Sequence, residues 1–413
     1  MIDRNTGMNG TGVDENVTFT LNTVDRHAVA YDARHHCLNG NVSGTLQAKG
    51  EGGWSLNYIN PVIQPLPEAT GADTYNGTVT GEVAATLTKV NGVATSGPKV
   101  IQAGEKGSPD WIVRRLIPLE CGRLQGFPDG WAEIAPLTSP LEFPFWREVY
   151  ARDCEIKGKR PSRKIVQGGS TESDKALMRW HDGLHSMAAE YAMWGNGMAL
   201  PNALFFVKNA FRELGKPAED VKLGSLFDGI GGFPLAAIRS GITPVWASEI
   251  EAFPIEVTKQ RFPSMIHVGD ITKLNGAELP PVDIICGGSP CQDLSVAGAR
   301  AGLSGARSGL FMEQVRLVKE MRNADEQRGR AGHAVRPRYM LWENVPGAFS
   351  SGTPKGEDFR IVLEEIVRVK CGSVYVPGPY PWAWQPAGRI LLGTDFSLCW
   401  RCLDAQYWGV PQR

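Results

Sequence analysis

The chain has 413 residues, of which 42% are hydrophobic and 21% are charged, and its formal net charge is -1. This composition is typical of a soluble globular protein and leaves room for two or three domains. The near-zero net charge excludes a chain that is basic throughout, so any signal for nucleic-acid binding must be local.

The sequence also gives signals for the cellular location of the protein. No segment approaches the roughly 18 to 20 uninterrupted apolar residues of a membrane span, and the polar start MIDRNTGMNG lacks the apolar core of a signal peptide. Eight cysteines are too sparse for a disulfide framework, so reduced thiols are expected. We therefore predict a cytoplasmic protein with no membrane contact.

The first part of the chain, residues 1–110, is rich in Gly, Asn, Thr and Val and contains many turn signals. These features favour a small β-rich domain. A weak repeat predicts one strand per copy, with VTFTL at 17–21, VSGTL at 42–46 and VAATL at 83–87.

The pattern becomes more helical over 111–219, which ends with the apolar-periodic stretch LPNALFFVKNAFREL and the helix-ending Gly215 and Pro217. Over 220–413, strand-like runs (KLGSLF, TPVWASE, VDIICGG, RYMLWENV) alternate with helical runs (FPLAAIRSG, FMEQVRLVKEM, FRIVLEEIVRV). Such alternation predicts an α/β fold with a doubly wound, mostly parallel sheet. We thus predict three parts: 1–110, 111–219 and 220–413.

A glycine-rich turn, FDGIGG, follows the first of these strands and includes Gly229, Gly231 and Gly232. Glycines at a strand-to-helix turn let backbone N–H groups approach a ligand closely, although a plain tight turn is the commoner explanation of the motif alone. Phe227 is a candidate to stack on a purine, and a core aromatic is the alternative.

Two acids could complete a nucleotide-like site. Glu249 ends the next strand-like run, where an acid can accept hydrogen bonds from ribose hydroxyls. Asp270 follows a third short run and could face an adenine amino group, with a turn-forming aspartate as the alternative. Because GxGxxG and GxxxxGK[ST] are both absent, S-adenosylmethionine fits better than a dinucleotide or a triphosphate.

A candidate nucleophile lies in VDIICGGSPCQDLS, residues 282–295. The apolar run breaks at two glycines and places Cys291 on the following loop, where free N–H donors and access favour a reactive thiolate. Cys286, inside the run, is expected to be an inert core thiol. Glu343 ends the run YMLWENV, where partial desolvation would raise its pKa and let it hold or donate a proton near neutral pH.

Together these motifs resemble those of the DNA cytosine-5 methyltransferases. SLFDGIGGF resembles the cofactor motif of that family, GGSPCQDLS its nucleophile loop, WENV its acid motif and QYWGVPQR the start of its arginine motif. RRLIPLECGRLQGFPDGW and YAMWGNGMALPNALFFV resemble the two motifs that normally close the chain. The resemblance covers most of 111–413.

The resemblance implies a methyl transfer from S-adenosylmethionine to C5 of a flipped-out cytosine in double-stranded DNA. Cys291 would attack C6 while Glu343 protonates N3. Loss of the C5 proton and departure of Cys291 would complete the cycle. By the same resemblance, Gln292 would contact the substrate, and the cofactor site would also include three further residues, Asp228, Pro290 and Asn196.

The order of the motifs departs from the family pattern, because QGFPD and GNG normally follow PQR and here precede FDGIGG. This order resembles a circular permutation with GKPAEDV at 215–221 as the joint. The arginine motif stops at Arg413, so one strand of the sheet is expected to be missing. Residues 1–110 are a candidate partial target recognition region, 111–219 holds the closing family motifs, and 220–413 is the catalytic, cofactor-binding part.

Three alternatives stay open on sequence grounds. The chain could be an incomplete or split methyltransferase that needs a complementary chain, a catalytically silent DNA-binding or cofactor-binding protein, or an enzyme acting on RNA. Weak metal signals, the CxxC of Cys399 and Cys402 and the pair His181 and His185, are better explained without zinc, so no metal is predicted.

A cluster of five cations between residues 157 and 164 gives the local basic signal: Lys157, Lys159, Arg160, Arg163 and Lys164. A solvated linker and a contact with phosphate groups are the two interpretations of this cluster.

Overall fold

A computed structural model describes residues 116–290, 309–372, 374–379, 383–393, 396–408 and 410. Before residue 116 it describes the backbone of short strands that form small antiparallel sheets. These strands are β1 (Val29–Asp32), β2 (Cys37–Leu38), β3 (Val62–Ile63), β4 (Gly71–Asp73), β5 (Thr78–Gly81), β6 (Val100–Ala103) and β7 (Trp111–Arg114). The predicted repeat at 17–21, 42–46 and 83–87 lies outside the described residues.

The described α-helices were partly foreseen from the sequence, most closely the helix over 200–214 that ends before Gly215. In chain order they are α1 (Pro118–Leu124), α2 (Phe143–Ile156), α3 (Arg163–Gln167), α4 (Thr171–Asp182), α5 (Met187–Asn196), α6 (Leu200–Leu214), α7 (Gly232–Ile238), α8 (Ala252–Arg261), α9 (Gly309–Gln327) and α10 (Glu357–Cys371). None of the described helices has both the length and the apolar character that crossing a membrane requires.

The chain divides into two compact units. Unit one comprises Met1–Ala203, Glu251–Arg261 and Asp404–Arg413, and unit two comprises Leu204–Ile250 and Phe262–Leu403. Helix α8, which follows the second strand of the large sheet in sequence, therefore belongs to unit one. The three-part division at residues 110 and 219 stays a prediction.

Unit one brings the QGFPD and GNG motifs together. Gln125 is fully buried, and its Nε2 donates to the carbonyl oxygens of Trp194 at 2.8 Å and of Gly197 at 3.0 Å. The backbone N–H of Leu200 donates to the carbonyl oxygen of Gln125 at 2.8 Å. One glutamine thus satisfies the carbonyls at the end of α5 and fixes the turn before α6.

Unit two is built on a parallel five-stranded sheet, which confirms the predicted α/β fold class. In chain order its strands are β8 (Lys222–Leu226), β9 (Thr243–Ser248), β10 (Ile266–His267), β11 (Ile284–Gly287) and β12 (Tyr339–Trp342). The spatial order is β10-β9-β8-β11-β12, so the chain builds outward from β8 in one direction and then in the other. The direction changes between β8 and β11, and ligands of open α/β sheets bind in the crevice at such a switch point.

Helix α9 covers part of this sheet with Leu317, Val318 and Met321, which pack with Leu226 and Ile285 in one buried cluster. These apolar side chains lie on one face of α9, and this face is buried. The helical spacing of the apolar residues is the sequence pattern that predicted this helix.

A second cluster joins α10 to an antiparallel hairpin of β13 (Ala387–Leu392) and β14 (Phe396–Arg401). The sequence pattern indicated only a short strand near Cys399, because an exposed hairpin of alternating residues gives a weak signal.

Candidate active site

The register of the sheet lines up the ends of four strands. Leu226 pairs with Ser248 on one side and with Gly287 on the other, and Gly287 pairs with Trp342. Because the strands are parallel, the next residue of each strand emerges at the same carboxyl edge. These next residues are Phe227, Glu249, Gly288 and Glu343.

The turn after β8 needs unusual backbone conformations. Gly229 has φ 53° and Gly231 has φ 76°, a region that glycine enters without steric cost. Phe227 also has φ 53°, and it is the one non-glycine residue with positive φ among the described residues. Strained backbone of this kind costs of order 1 to 3 kcal/mol and clusters at functional sites. Gly232 is buried and begins α7 directly after this turn.

Asp228 lies buried inside this turn. Its backbone N–H donates to the carbonyl oxygen of Ser248 at 3.1 Å, and its Oδ1 accepts a hydrogen bond from Ser225 Oγ at 2.6 Å. Its Oδ2 has no hydrogen-bond partner among the described residues. Burial raises the pKa of Asp228 to about 7, with the Ser225 hydrogen bond opposing and the charge of Glu249 adding to the shift. The turn thus holds a carboxyl group that is partly protonated near neutral pH.

Glu249 ties the ends of β8 and β9 together. Its Oε2 accepts from the backbone N–H of Gly229 at 2.8 Å, and its Oε1 accepts from the backbone N–H of Ile250 at 2.7 Å. These two bonds hold the carboxylate at the carboxyl edge of the sheet, where the sequence predicted an acid that could bind ribose hydroxyls. The contact with Gly229 links the predicted acid to the predicted glycine turn.

Asp270 forms a turn, which is the role that its G-D sequence context favoured. Its Oδ1 accepts from the backbone N–H of Thr272 at 3.0 Å and from Thr272 Oγ1 at 2.8 Å, which caps a short 3-10 turn. The Gly269 carbonyl beside it accepts from Ser248 Oγ at 2.6 Å. A contact from Asp270 to an adenine stays a prediction.

Glu343 leaves β12 and lies against the start of the nucleophile loop. Its backbone N–H donates to the carbonyl oxygen of Gly287 at 2.9 Å. Its Oε2 lies so close to Gly288 that a Cβ on that glycine would be 2.6 Å away. Burial raises the pKa of Glu343 to about 7, as the position of the acid after an apolar run predicted.

Ser289 is a connection that the sequence reasoning missed. The residues on either side of Glu343 both bond to it: Trp342 Nε1 donates to Ser289 Oγ at 2.9 Å, and Asn344 Nδ2 donates to the Ser289 carbonyl oxygen at 3.2 Å. Ser289 is buried and lies two residues before Cys291. A hydroxyl inside the motif GGSPCQDLS was the available signal, but its partner depends on the pairing of β11 with β12.

Cys291 and Gln292 lie outside the described residues, so their predicted roles are not tested by the structure. Pro290 is exposed immediately before them. Cys286 is fully buried in β11, and burial raises the pKa of its thiol well above the usual value. This environment agrees with the prediction of an inert core thiol.

Gln314 is a second residue that the sequence reasoning missed. It is fully buried on α9, and its Nε2 donates to the carbonyl oxygen of Leu341 at 3.0 Å. Its Oε1 has no hydrogen-bond partner among the described residues and lies against Gly287, where a Cβ would be 2.6 Å away. A polar residue on the apolar face of FMEQVRLVKEM was the signal that could have identified it.

Asn196 and the two histidines belong to unit one. Asn196 is exposed at the end of α5 in unit one, and its link to a cofactor stays a prediction. His181 contacts the buried Glu256 at 2.9 Å, whereas His185 pairs with Glu190. Within the described residues no three His, Cys, Asp or Glu side chains are grouped to hold a metal ion.

A known protein family matches the part of the chain that forms this edge of the sheet. Residues 221–369, which span β8 to β12 and most of α10, match the model of the C-5 cytosine-specific DNA methylases. This part of the chain is similar to that family. The glycine turn, Glu249, the strand leading to Cys291, and Glu343 all lie within the matched residues, whereas QGFPD and GNG precede them.

Curated relatives are similar over about half of the chain. The type II methyltransferase M1.ScrFI of Lactococcus lactis subsp. cremoris is 32% identical over 51% of this chain and 50% of its own length. The type II methyltransferase M2.BsuMI of Bacillus subtilis (strain 168) is 31% identical over 47% of this chain and 40% of its own length. A protein of Escherichia phage P1 named DNA N-6-adenine-methyltransferase is 32% identical over 46% of this chain and 27% of its own length. The chain thus spans half or less of each of these relatives.

Proposed function

We propose that the protein transfers a methyl group from S-adenosylmethionine to C5 of cytosine in double-stranded DNA, as part of a restriction-modification type of DNA methylation. The observation that carries the proposal is the register of the strands in the parallel sheet of unit two. It brings the glycine turn after β8, the strand that leads to Cys291 and the carboxyl of Glu343 to one edge of the sheet. This edge lies at the topological switch point.

The residues at this edge fit the chemistry of the cofactor. S-adenosylmethionine carries a positively charged sulfonium and an ammonium group, and three carboxyl groups follow the ends of β8, β9 and β10: Asp228, Glu249 and Asp270. The buried, unpartnered Oδ2 of Asp228 is an acceptor suited to a cationic donor. When bound, the cofactor would supply an electrophilic methyl group. Phe227, Gly229, Gly231, Gly232 and Pro290 would complete its site.

Cys291 would act on the substrate base. Its thiolate would form a bond to C6 of cytosine, and the electrons of the C5–C6 double bond would move towards C5 and the ring nitrogen N3. Glu343, with a pKa of about 7, would deliver a proton to N3 at that moment. After C5 has gained its methyl group, a water molecule would accept the C5 proton, and the electrons of that C–H bond would re-form the C5–C6 double bond as the Cys291 thiolate leaves. The N3 proton would return to Glu343, which restores the enzyme.

The substrate base must leave the duplex for this reaction. C5 and C6 of a stacked cytosine cannot be approached along the required axis, so the base would be extruded into the pocket at a cost of a few kcal/mol. Gln292, directly after the nucleophile, would contact the DNA. Asn196 of the GNG motif would contact the cofactor. Because this motif precedes the glycine turn in the sequence, the enzyme would be circularly permuted.

A direct test uses labelled S-adenosylmethionine, mixed-sequence duplex DNA and nucleoside analysis of the product. Formation of 5-methylcytosine that is lost in Cys291→Ser, together with a mass adduct on fluorocytosine-containing DNA, is the expected result. Cys286→Ser is the matched control, because that thiol is buried in β11. Binding of DNA without turnover under all conditions would instead indicate a catalytically silent protein.

Three other outcomes would change the proposal. The name of the phage P1 relative makes N6-methyladenine a second candidate product, and the same nucleoside analysis distinguishes it from 5-methylcytosine. Turnover that appears only after a complementary chain is added would favour a split enzyme. Methylation of an RNA duplex in preference to DNA would reassign the substrate.

A further inference from the structure

Residues 157–164 of unit one, which comprise the loop from α2 to α3 and the first two residues of α3, carry five of the cations of the chain and no acid. We call this segment the basic loop. All five cationic side chains are exposed. Because the whole chain has a formal net charge of -1, such a concentration is a local feature and not a reflection of overall composition.

Local structure holds the basic loop in one conformation. Helix α2 ends in a paired turn in which the N–H of Gly158 donates to Glu155 O at 3.0 Å and the N–H of Lys159 donates to Cys154 O at 2.7 Å. These two bonds are the Schellman pattern, and Gly158 supplies the required positive φ of 63°. At the other end, the N–H of Ser162 donates to Tyr150 Oη at 3.1 Å. The loop is therefore ordered before any partner binds, which lowers the entropic cost of binding.

The cations of the loop fall into two groups. Lys157 pairs with Asp153 at 2.7 Å and Lys164 pairs with Glu172 at 2.5 Å. Lys159, Arg160 and Arg163 form no ion pair with any acid in the described part of the chain. The exposed acid nearest to these three cations in sequence is Glu155. Three positive charges against this one negative charge leave a local surplus of two positive charges.

We propose that Lys159, Arg160 and Arg163 contact the phosphate backbone of duplex DNA. This inference rests on the proposed function, since it takes DNA as the substrate. Arginine and lysine side chains that neutralise phosphates release condensed counterions, which gives sequence-independent binding with a steep dependence on salt. The basic loop would hold and orient the duplex, and it carries no sequence specificity.

The test compares two triple variants of the full chain that lose the same charge. K159Q/R160Q/R163Q removes the unpaired cations of the loop. K208Q/K355Q/K370Q removes three exposed lysines that form no ion pair with a described residue and lie elsewhere in the chain. A third variant, K159R/R160K/R163K, keeps the charges of the loop and controls for disturbance of its fold.

Binding of each protein to a labelled mixed-sequence DNA duplex is measured against salt concentration. Three phosphate contacts predict that the slope of log affinity against log salt becomes shallower by about 2.7 in the loop variant. Between about 50 and 200 mM salt, the wild type should therefore lose about 40-fold more affinity than the loop variant loses. The charge-keeping and the lysine control variants should retain the wild-type slope.

An unchanged slope in the loop variant, or an equal change in the lysine control, would overturn the inference. A change seen with an RNA duplex and absent with DNA would also overturn it. Failure of the proposed function is distinguishable: a wild type that forms no methylated base but shows the predicted slopes would refute the methyl transfer and leave the DNA contact standing. Normal methylation with no effect of the loop variant on binding would refute only the contact.

Discussion

Trp342 of β12 and Ser289, two residues after the end of β11, are joined by a side-chain hydrogen bond of 2.9 Å. Trp342 directly precedes Glu343, and Ser289 lies two residues before Cys291. The pairing of Gly287 with Trp342 brings these residues together. The bond therefore couples the position of the acid to the position of the proposed nucleophile loop.

We expect Ser289→Ala to lower both stability and methyl transfer. The indole N–H of the half-buried Trp342 would lose its acceptor, which should cost about 1 kcal/mol. Trp342→Phe alone should also destabilise, whereas Ser289→Ala combined with Trp342→Phe should cost less than the sum of the two. A double-mutant cycle of urea unfolding measures this coupling. Strictly additive effects would show that the bond contributes nothing.

Gly288→Ala is expected to reduce methyl transfer while the fold is retained. The new Cβ would lie 2.6 Å from Glu343 Oε2, so the carboxyl must move. A displacement of about 1 Å in a catalytic group can lower the rate about 100-fold. Gly309→Ala is the control, because a Cβ there would meet no atom of the described residues within 4 Å. Equal rates for the two variants would contradict the proposed contact between the glycine and the acid.

The free energy of unfolding should fall as the pH rises from about 4.5 to about 7. Burial raises the pKa of Glu343 from its usual 4.5 to about 7, so the folded state binds more protons than the unfolded state within this window. Glu343→Gln should remove part of this dependence and raise stability at pH 8 relative to pH 5. Because the Glu343 residue is only half-buried, the expected gain is about 1 to 3 kcal/mol. Thermal unfolding at the two pH values checks the prediction, and identical pH profiles for wild type and variant would refute it.

Thiol labelling should separate the cysteines by environment. Cys399 and Cys402 are exposed and should react with iodoacetamide in the native protein, whereas Cys286 should react only after unfolding, because it is fully buried and its thiol pKa is raised. The proposed role of Cys291 further predicts that its labelling abolishes methyl transfer. Peptide mass mapping follows each site. Labelling of Cys286 in the native protein would show that the reagent can reach the carboxyl end of β11, which would contradict its burial.

Gln125→Leu is expected to destabilise unit one by about 1 to 3 kcal/mol for each carbonyl left unpaired. The two carbonyls concerned are those of Trp194 and Gly197, both held by Gln125 Nε2. Gln167→Leu replaces an exposed glutamine and should leave stability nearly unchanged. Calorimetry of both variants is the measurement. A loss that is the same in both would mean that the QGFPD motif does not support the GNG turn.

The sequence pattern predicted the central elements of the fold because their signals are local. The runs KLGSLF, TPVWASE, VDIICGG and RYMLWENV became β8, β9, β11 and β12, and the stretch over 200–214 became α6. Buried parallel strands are short apolar runs, and covered helices have a 3.6-residue period, so each can be recognised from adjacent residues. The hairpin of β13 and β14 was not foreseen, since its strands alternate and lie at the surface.

The candidate site could be predicted only in part. Motif residues such as Glu249 and Glu343 were identified because each follows an apolar run. The partners that fix them, Gly229 for the first and Gly288 for the second, depend on which strands are neighbours. Ser289 and Gln314 were missed for the same reason, because a polar side chain gains a role only through a partner that is distant in sequence.

Residue types along the chain specify the chemistry available to this protein: a cysteine after two glycines, an acid after a hydrophobic strand, a glycine turn and a cluster of cations. Strand pairing specifies which of the described groups lie together. Side-chain identity is encoded position by position, whereas proximity is set by the strand order β10-β9-β8-β11-β12 and its register, which arise from packing over long sequence separations.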